Sequence, residues 1–239
     1  MKVSVVIPMY NESSIIVDTA KKLSEEMEKY FDSYEILFSD DGSKDGCGDM
    51  VRALDLPCVR VTGYAQNQGK GCAVRTAIME ADGDIIMFTD ADLAYGTEVI
   101  YKAVKALEND KSAGVLIGSR NLAKDGYDGY TFLRKVASKV YIKVLCIAGG
   151  FDQSDSQCGC KAFRREAARE IFSKAKVNGF AFDFEIILRA KKAGIKIIEM
   201  PVKIINHRES TVHIVRDSIR MLRDIRKIKK DIKKEDKRR

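Results

Sequence analysis

Short apolar runs alternate with amphipathic stretches along the first half of the chain. The apolar runs predict strands at residues 3–7, 34–39, 57–62, 84–89 and 113–119. The intervening stretches have helical spacing of their apolar positions and predict helices at residues 12–30, 45–54, 70–81 and 96–109. This alternation of strand and helix is typical of a mostly parallel sheet with helices on both faces.

The rhythm changes after about residue 125, where longer helical stretches predominate. The pattern predicts a long helix at residues 130–148, a short strand at 161–163 and helices at 165–174 and 183–193. Two closing strands are predicted at residues 195–199 and 202–205. Because no linker or repeat interrupts these elements, we expect one domain over residues 1–210 and a separate tail over 211–239.

The tail has the spacing of an amphipathic helix over residues 211–234. Apolar residues recur at intervals of three and four, at Val215, Ile219, Leu222, Ile225, Ile228 and Ile232, and the other faces are rich in Arg and Lys. Three interpretations stay open. The helix packs on the domain, it lies on an anionic membrane surface, or it mediates a homodimer.

Composition limits the partners that this chain is expected to bind. Of its 239 residues 45% are hydrophobic and 32% are charged, which is typical of a globular domain. The net charge of +7 is concentrated after Arg216, so the chain has a basic tail rather than a basic body. No nucleic-acid recognition motif accompanies this charge, and we expect no nucleic-acid partner.

The cysteine and histidine pattern gives no sign of a zinc site or of a disulfide framework. The six cysteines are scattered without a C-x-x-C pair, and the only histidines are His207 and His213. The N-terminal apolar run is too short for a signal peptide, and no apolar run approaches the length of a membrane span. We therefore expect a reducing, cytoplasmic compartment.

Polar clusters follow the predicted strands at the points where the strands end. These clusters are Asn11-Glu12, Asp40-Asp41-Gly42-Ser43, Asn67-Gln68-Gly69-Lys70-Gly71, Asp90-Ala91-Asp92 and Ser119-Arg120. Ligands of parallel α/β sheets bind beyond the carboxyl ends of the strands. The clusters are therefore expected to form one composite site.

Asp90 and Asp92 are the strongest candidates for chemistry in this composite site. Two carboxylates after a buried strand repel each other, and a divalent cation that carries a diphosphate relieves the repulsion. The alternative is a loop with two solvated aspartates. Asp40 and Asp41 have acceptors for a nucleobase or a ribose, although such residues also cap helices.

Glycine-rich cofactor loops of known type are missing. Lys70 stands between two glycines, but the Walker A spacing and the G-x-G-x-x-G pattern are both absent, which argues against a dinucleotide cofactor. Lys70 is either a phosphate or base contact or a lysine at a helix start.

Further segments complete an ordered series along residues 1–222. The series consists of Val5-Val6-Ile7-Pro8-Met9-Tyr10-Asn11-Glu12, the three loops that contain Asp40, Lys70 and Asp90, Asp155-Ser156-Gln157-Cys158-Gly159-Cys160-Lys161-Ala162-Phe163, and Phe180-Ala181-Phe182-Asp183-Phe184-Glu185. In this order the segments resemble the family 2 glycosyltransferases of the GT-A fold. They most resemble the polyprenyl-phosphate branch, which includes the dolichyl-phosphate β-glucosyltransferases.

Three segments depart from the pattern of that family. Cys160 replaces a usual phenylalanine, Asn178-Gly179 stands where an aromatic or Arg-Trp type sequence is common, and Arg208-Glu209-Ser210-Thr211 stands where the family has G-S-K. The departure at Cys160 concerns local packing, and the one at Arg208 concerns contacts with the acceptor.

The resemblance implies a three-layer α/β/α domain of the Rossmann-like GT-A type and inverting transfer of a hexose. The implied ligand of Mg²⁺ or Mn²⁺ is Asp92, with Asp90 beside it on the ribose or the metal. The implied contacts with the donor nucleotide are Pro8, Tyr10, Asn11, Glu12, Asp40, Asp41, Lys70, Asp90 and Ala91. The implied catalytic set is Asp92, Asp155, Gln157, Lys161 and Asp183. Candidates for phosphate or acceptor contacts are Arg120, Arg134, Lys161 and Arg208.

The acceptor decides whether a general base is needed. A sugar hydroxyl needs one, whereas a lipid phosphate is already an anion near neutral pH. Asp155 and Asp183 are candidates either for a base or for orienting Lys161 or an arginine.

The resulting expectation is transfer of glucose from UDP-glucose to a polyprenyl phosphate, by a protein peripheral to the cytoplasmic face of a membrane. The alternatives within the enzyme class are a hydroxyl acceptor and GDP-mannose as donor. A sugar-nucleotide pyrophosphorylase is disfavoured because Pro8-Met9-Tyr10-Asn11 stands where its phosphate loop belongs. A non-catalytic, membrane-bound sugar-nucleotide sensor is the remaining alternative.

Overall fold

A single seven-stranded sheet forms the centre of the molecule. The computed structural model describes residues 1–206 and 214–236, without the side chains of residues 134, 214–223 and 236. The strands are β1 Val3–Met9, β2 Tyr34–Asp40, β3 Val59–Gly63, β4 Ile85–Thr89, β5 Ala113–Ser119, β6 Cys160–Arg164 and β7 Lys196–Pro201. Their order across the sheet is β3-β2-β1-β4-β6-β5-β7, and β6 alone among them is antiparallel to its neighbours.

Helices cover both faces of this sheet. They are α1 Ile16–Tyr30, α2 Cys47–Arg52, α3 Lys70–Glu80, α4 Glu98–Asn109, α5 Phe132–Gly149, α6 Arg165–Phe172, α7 Phe182–Lys192 and α8 Ile214–Asp236. Side chains of successive strand residues point to opposite faces. In β1, Val5 and Ile7 therefore join the core beneath α1, α2 and α4, whereas Val6 joins the core beneath α3, α6 and α7. The expected three-layer, mostly parallel architecture is confirmed.

The antiparallel strand β6 determines where the second half of the chain meets the first. Its residue Cys160 pairs with Thr89, the last residue of β4, and Lys161 pairs with Phe88. The residues just before β6 therefore lie at the same edge of the sheet as the Asp90 loop.

One predicted strand is wrong. Residues 202–205 lie outside the sheet, because Pro201 ends β7 and the chain then crosses to the loop after β4. The Ile205 amide donates to the carbonyl of Ala94 at 2.8 Å rather than to a neighbouring strand. The side chain of Asn206 donates to the carbonyl of Leu93 at 2.8 Å, so this segment covers the turn that follows Asp92.

Helix α8 packs on the domain over its second half. Ile225, Ile228 and Ile232 are buried in the same core as residues of α6 and α7. Glu235 pairs with Arg189 of α7 at 3.0 Å, and the hydrogen bond to Arg189 lowers the pKa of Glu235 to about 2. Among the described residues, none of the helices combines the length and apolarity needed to cross a bilayer.

Candidate active site

The loops after β1 and β2 are joined by hydrogen bonds at the carboxyl edge of the sheet. The Asn11 amide donates to Ser43 Oγ at 3.0 Å, and the Lys44 amide donates to Asn11 Oδ1 at 2.9 Å. Asn11 has a left-handed backbone with φ of 54°, a conformation that asparagine adopts more readily than most residues. Tyr10, the residue before Asn11, is exposed at this edge of the sheet.

The adjacent residues Asp40 and Asp41 have different environments. Asp41 is buried and accepts hydrogen bonds from Tyr64 Oη at 2.7 Å and from the backbone amides of Gln68 and Gly69 at 2.8 and 2.9 Å. Its carboxylate is thus directed toward the loop that carries Lys70, and its contact with the donor nucleotide stays a prediction. Asp40 is only half-buried and accepts from the Ser43 amide at 2.8 Å, so it is the member of the pair with an accessible side.

Lys70 lies at the first position of α3 and forms an ion pair with Asp90 Oδ1. Burial alone lowers the pKa of Lys70, but the carboxylates of Asp90, Asp183 and Asp92 outweigh it and raise that pKa. Lys70 therefore lies against the Asp90-Ala91-Asp92 motif and forms an ion pair with it. Of the two sequence-based interpretations, this geometry favours a role within the site.

Gly159 fixes the position of the Asp90 carboxylate from the other side. A Cβ atom at residue 159 would lie 2.1 Å from Asp90 Oδ2, so only glycine fits at this position without moving the aspartate. Sequence reasoning placed Gly159 inside a family-like segment but gave it no function. The antiparallel pairing of β6 with β4 creates this contact, and no spacing along the chain indicates it.

The residues after Asp90 form a tight turn. The Leu93 amide donates to the Asp90 carbonyl at 3.0 Å, and the Ala94 amide donates to Asp92 Oδ1 at 3.0 Å. Leu93 is buried with φ of 48°, in the left-handed region that a leucine rarely adopts. Thr19 Oγ1 donates to the carbonyl of Ala91 at 2.7 Å, so α1 anchors the motif from below.

The donor set of this turn fits a magnesium-type ion that is shared with a ligand. Within the described ranges, no cluster of three or more His, Cys, Asp or Glu side chains is placed to hold a metal by itself. Mg²⁺ is commonly held by one or two carboxylates, with substrate phosphates and water completing its coordination. Asp90 and Asp92 supply hard oxygen ligands of that number.

Lys161 and Asp183 form a buried ion pair behind the site. Lys161 has no exposed surface, and its ammonium donates to Asp183 Oδ1 and to the carbonyl of Cys158 at 2.7 Å. It also lies 5.6 Å from the centre of the Phe88 ring. The ammonium of Lys161 is thus directed toward Asp183, and its contact with a phosphate stays a prediction. Asp183 lies in the first turn of α7, where a carboxylate is favoured, and burial raises the pKa of Asp183.

Arg120 and Asp155 form a second buried pair. Arg120 Nε donates to Asp155 Oδ2 at 2.6 Å, and a terminal guanidinium nitrogen donates to Oδ1 at 2.8 Å. Burial alone lowers the pKa of Arg120, but the hydrogen bonds to Asp155 outweigh this effect and raise that pKa. The guanidinium lies over the ring of Tyr127 at 5.1 Å. Both carboxylate oxygens are engaged, so Asp155 ties the loop before β6 to the end of β5.

Three other predicted residues are less informative in the structure. Gln157 is half-buried, and its amide donates to the carbonyl of Ser156 at 3.4 Å. Arg134 belongs to α5, but its side chain is outside the described part of the chain, and Arg208 lies outside the described residues altogether.

The segment at Asn178, which departs from the family pattern, supports the loop that carries Lys70, and the sequence did not predict this contact. The carbonyl of Asn178 accepts from the Cys72 amide at 3.2 Å, and its side chain accepts from Arg75 at 2.7 Å. A Cβ atom at Gly69 would lie 2.6 Å from the Asn178 carbonyl oxygen. Glycine permits such a close approach of two loops. The position of a glycine in the sequence does not reveal which loop approaches it until the fold is known.

Comparison with known proteins places the chain in a sequence family. The model of glycosyl transferase family 2 matches residues 4–172. The dolichyl-phosphate beta-glucosyltransferase of Dictyostelium discoideum is 34% identical over 220 residues, which cover 83% of this chain and 65% of that protein. The human protein of the same name is 32% identical over 218 residues, which cover 84% and 66%. The chain thus spans slightly less than two thirds of the length of these relatives.

A solved structure shares the fold. It is glucosyl-3-phosphoglycerate synthase from Mycobacterium tuberculosis, in complex with Mn²⁺, uridine diphosphate and glucosyl-3-phosphoglycerate. The superposition has a TM-score of 0.70 and covers 92% of this chain and 77% of that one, at 18% sequence identity. The likeness at this identity concerns the architecture of the domain.

Proposed function

Because the chain belongs to glycosyl transferase family 2, we propose that it is a metal-dependent, inverting hexosyltransferase. The proposed reaction moves glucose from UDP-glucose to a polyprenyl phosphate at the cytoplasmic face of a membrane. The name carried by the relatives from Dictyostelium discoideum and human supports a lipid phosphate as acceptor. The uridine diphosphate and Mn²⁺ of the structural relative support the donor and the metal.

Asp92 and Asp90 are the proposed ligands of Mg²⁺ or Mn²⁺. When bound, the ion supplies charge neutralisation for the departing diphosphate. Lys70 adds a positive charge beside Asp90, where it is placed to contact a diphosphate that joins the site. Asp40 and the Tyr10–Glu12 loop lie at the same edge of the sheet and are the proposed contacts for the nucleoside.

The proposed chemistry is a single displacement at the anomeric carbon. An oxygen of the lipid phosphate forms the new bond to C1 of glucose while the bond from C1 to the β-phosphate oxygen breaks. The electron pair of the broken bond leaves with UDP, and the configuration at C1 inverts. No proton has to be removed from a phosphate that is already ionised.

One observation carries the choice of acceptor. Asp155 and Asp183, the two carboxylates considered as bases, are both engaged by buried cations, Arg120 and Lys161. Asp155 has both oxygens engaged by Arg120 and is therefore a poor acceptor for a proton from a hydroxyl. Asp183 is the proposed orienting partner of Lys161. The arrangement favours an acceptor that arrives as an anion.

The test is transfer of labelled glucose from UDP-glucose to a short-chain, water-dispersible polyprenyl phosphate. Transfer is expected with Mn²⁺ or Mg²⁺ and is expected to stop when the metal is chelated. Asp92→Asn is expected to lower kcat/KM by about a thousandfold, the scale of losing one electrostatic stabiliser of a transition state. Circular dichroism is expected to show an unchanged fold.

The matched control is Asp49→Asn, which changes an exposed aspartate on α2 that is paired with Arg52. It is expected to retain the wild-type rate. A preference for GDP-mannose would overturn the proposed donor, and transfer to a sugar hydroxyl but not to the lipid phosphate would overturn the acceptor. Full activity of Asp92→Asn would contradict the metal site.

A further inference from the structure

Helix α5 exposes an apolar face. The most exposed apolar side chains are Phe132, Leu133, Val140 and Ile147, at 78%, 79%, 58% and 73%. Val136 and Val144 lie between them along the helix, and each is more than 40% exposed. With a helical period of 3.6 residues these positions fall on one side of α5. The opposite side is buried through Ile142 and Leu145, which anchor α5 on the domain. A contiguous apolar surface of this kind on a folded domain usually marks a site of association.

A row of lysines borders this apolar face. Lys135, Lys139 and Lys143 follow one another at intervals of four residues, and α5 contains no Asp or Glu. Lys139 and Lys143 are exposed, and Lys135 is half-buried. The outer surface of α5 is therefore apolar along its middle and cationic along one border.

Two more lysines extend the positive charge past the end of α5. Lys229 of α8 donates to the carbonyl of Ala148 at 2.7 Å, and Lys191 of α7 donates to the carbonyl of Gly150. Cations near a helix C-terminus interact favourably with its carbonyl groups. These contacts also stabilise the orientation of α5 relative to α7 and α8.

Helix α8 differs from α5 in what covers its apolar side. Ile225, Ile228 and Ile232 of α8 are 4%, 3% and 7% exposed, because they pack into the core. The apolar positions in the second half of α8 are thus covered by the domain, whereas the apolar face of α5 is exposed.

We propose that α5 is a docking surface for an anionic membrane. Phe132, Leu133, Val140 and Ile147 insert at the boundary between headgroups and acyl chains, while Lys139 and Lys143 contact anionic headgroups. An amphipathic helix binds such a surface through its buried apolar area together with electrostatic attraction. A second copy of α5 is a poorer occupant, because its lysine row finds no carboxylate on the facing helix.

The position of α5 along the chain connects this surface to the site. The helix follows the segment that contains Arg120 and precedes the segment that contains Asp155 and Gly159. Docking through α5 therefore holds the second half of the site close to the lipid surface. The inference rests on the proposed function only for the nature of the acceptor that lies in that surface.

A fluorescence experiment tests the insertion directly, because the chain contains no tryptophan. Phe132→Trp introduces a single reporter at the exposed start of α5. With vesicles of phosphatidylcholine and phosphatidylglycerol, its emission is expected to shift to the blue and to be quenched by brominated acyl chains. Met50→Trp on α2, an exposed position on the other face of the sheet, is the matched control and is expected to show neither change.

Sedimentation with the same vesicles measures the separate contributions of the apolar face and the lysine row of α5 to membrane binding. Val140→Gln with Ile147→Gln is expected to weaken binding about a hundredfold, since each buried aliphatic side chain contributes more than about tenfold. The triple change Lys135→Gln, Lys139→Gln, Lys143→Gln is expected to weaken it by about a hundredfold as well, at about fivefold for each lysine. Lys227→Gln with Lys230→Gln and Lys234→Gln, on the exposed side of α8, is expected to have a smaller effect.

The outcomes separate this inference from its rivals. Vesicle binding without a shift at Phe132→Trp, or binding lost only in the α8 variant, overturns docking through α5. A concentration-dependent shift without vesicles assigns the face to a second copy and likewise overturns it.

Transfer to the short-chain acceptor without vesicles separates the surface from the chemistry. The α5 variants are expected to keep the wild-type rate in that assay. Absence of transfer in the wild type, with the fluorescence shift retained, refutes the proposed function and leaves the docking surface standing.

Discussion

Replacing Gly159 with alanine tests how closely the site depends on the position of one carboxylate. The added Cβ would lie 2.1 Å from Asp90 Oδ2, where ordinary van der Waals contact begins at 3.4 Å. The carboxylate must therefore retreat by about 1.3 Å, and its ion pair with Lys70 must shift with it. Gly159 does not have a positive φ, so alanine introduces no backbone strain of its own.

A displacement of about 1 Å in a catalytic constellation costs about a hundredfold in rate. We therefore expect Gly159→Ala to lower kcat/KM for glucose transfer by about that factor. Because Asp90 is a proposed metal ligand, titration calorimetry is expected to show weaker binding of Mn²⁺ together with UDP. Circular dichroism and the melting temperature report separately whether the fold is retained.

The matched control for Gly159→Ala is Gly179→Ala. A Cβ atom at residue 179 meets no heavy atom within 4 Å, and this glycine also lies in a loop close to the site. The control is expected to bind Mn²⁺ with UDP as the wild type does. If Gly159→Ala binds and turns over like this control, Asp90 is not held by Gly159 and the reasoning is refuted.

Three further perturbations have defined outcomes. Lys70→Met removes the ammonium that competes for Asp90, so calorimetry is expected to show about tenfold tighter binding of Mn²⁺ alone, a free-energy difference of about 1.4 kcal/mol; unchanged or weaker binding contradicts the competition. Arg120→Lys loses the bidentate contact with the fully buried Asp155 carboxylate and is expected to lower the free energy of unfolding by about 3 kcal/mol in urea titrations. The control Arg52→Lys, at an exposed ion pair, is expected to change the free energy of unfolding by less than about 0.5 kcal/mol. Equal effects of the two variants would contradict a stabilising role of the buried Arg120–Asp155 pair. Glu235→Gln is expected to cost about 1 kcal/mol at pH 7, a value reduced for partial solvent exposure. Because its folded-state pKa is lowered to about 2, this contribution is present above the unfolded pKa of about 4.3 and disappears as the pH falls from there toward 2; a difference from the wild type that does not shrink over this range argues against the ion pair.

The order of elements and the family could be predicted from the sequence. Alternating apolar runs and amphipathic stretches predicted the sheet and most of its helices, and the ordered polar segments predicted the family that the comparison confirmed. Helix ends were shifted by a few residues, and one closing strand was wrong because the Ile205 amide bonds to the turn after β4 instead of to a neighbouring strand. These signals are local, since hydrophobic periodicity depends only on near neighbours in the chain.

The environment of individual site residues could not be predicted in the same way. Asp40 and Asp41 are adjacent in sequence, yet one is half-buried at the edge and the other is buried beneath a loop. Lys161 belongs to a segment that suggests phosphate binding, but its ammonium meets Asp183 behind the site. A residue type indicates which interactions are available, and the packing of distant segments selects among them.

The sequence by itself determined that carboxylates gather at the ends of parallel strands, because strand order and loop composition are written along the chain. It also predicted a long helix at residues 130–148 and an amphipathic helix at residues 211–234, which correspond to α5 and α8. Only the tertiary structure decided that the second half of α8 buries its apolar positions and that α5 exposes an apolar face. It likewise decided that Gly159 lies against Asp90. The physical reason is that burial and close contact depend on which surfaces of the folded chain meet, a property that periodicity within one segment does not contain.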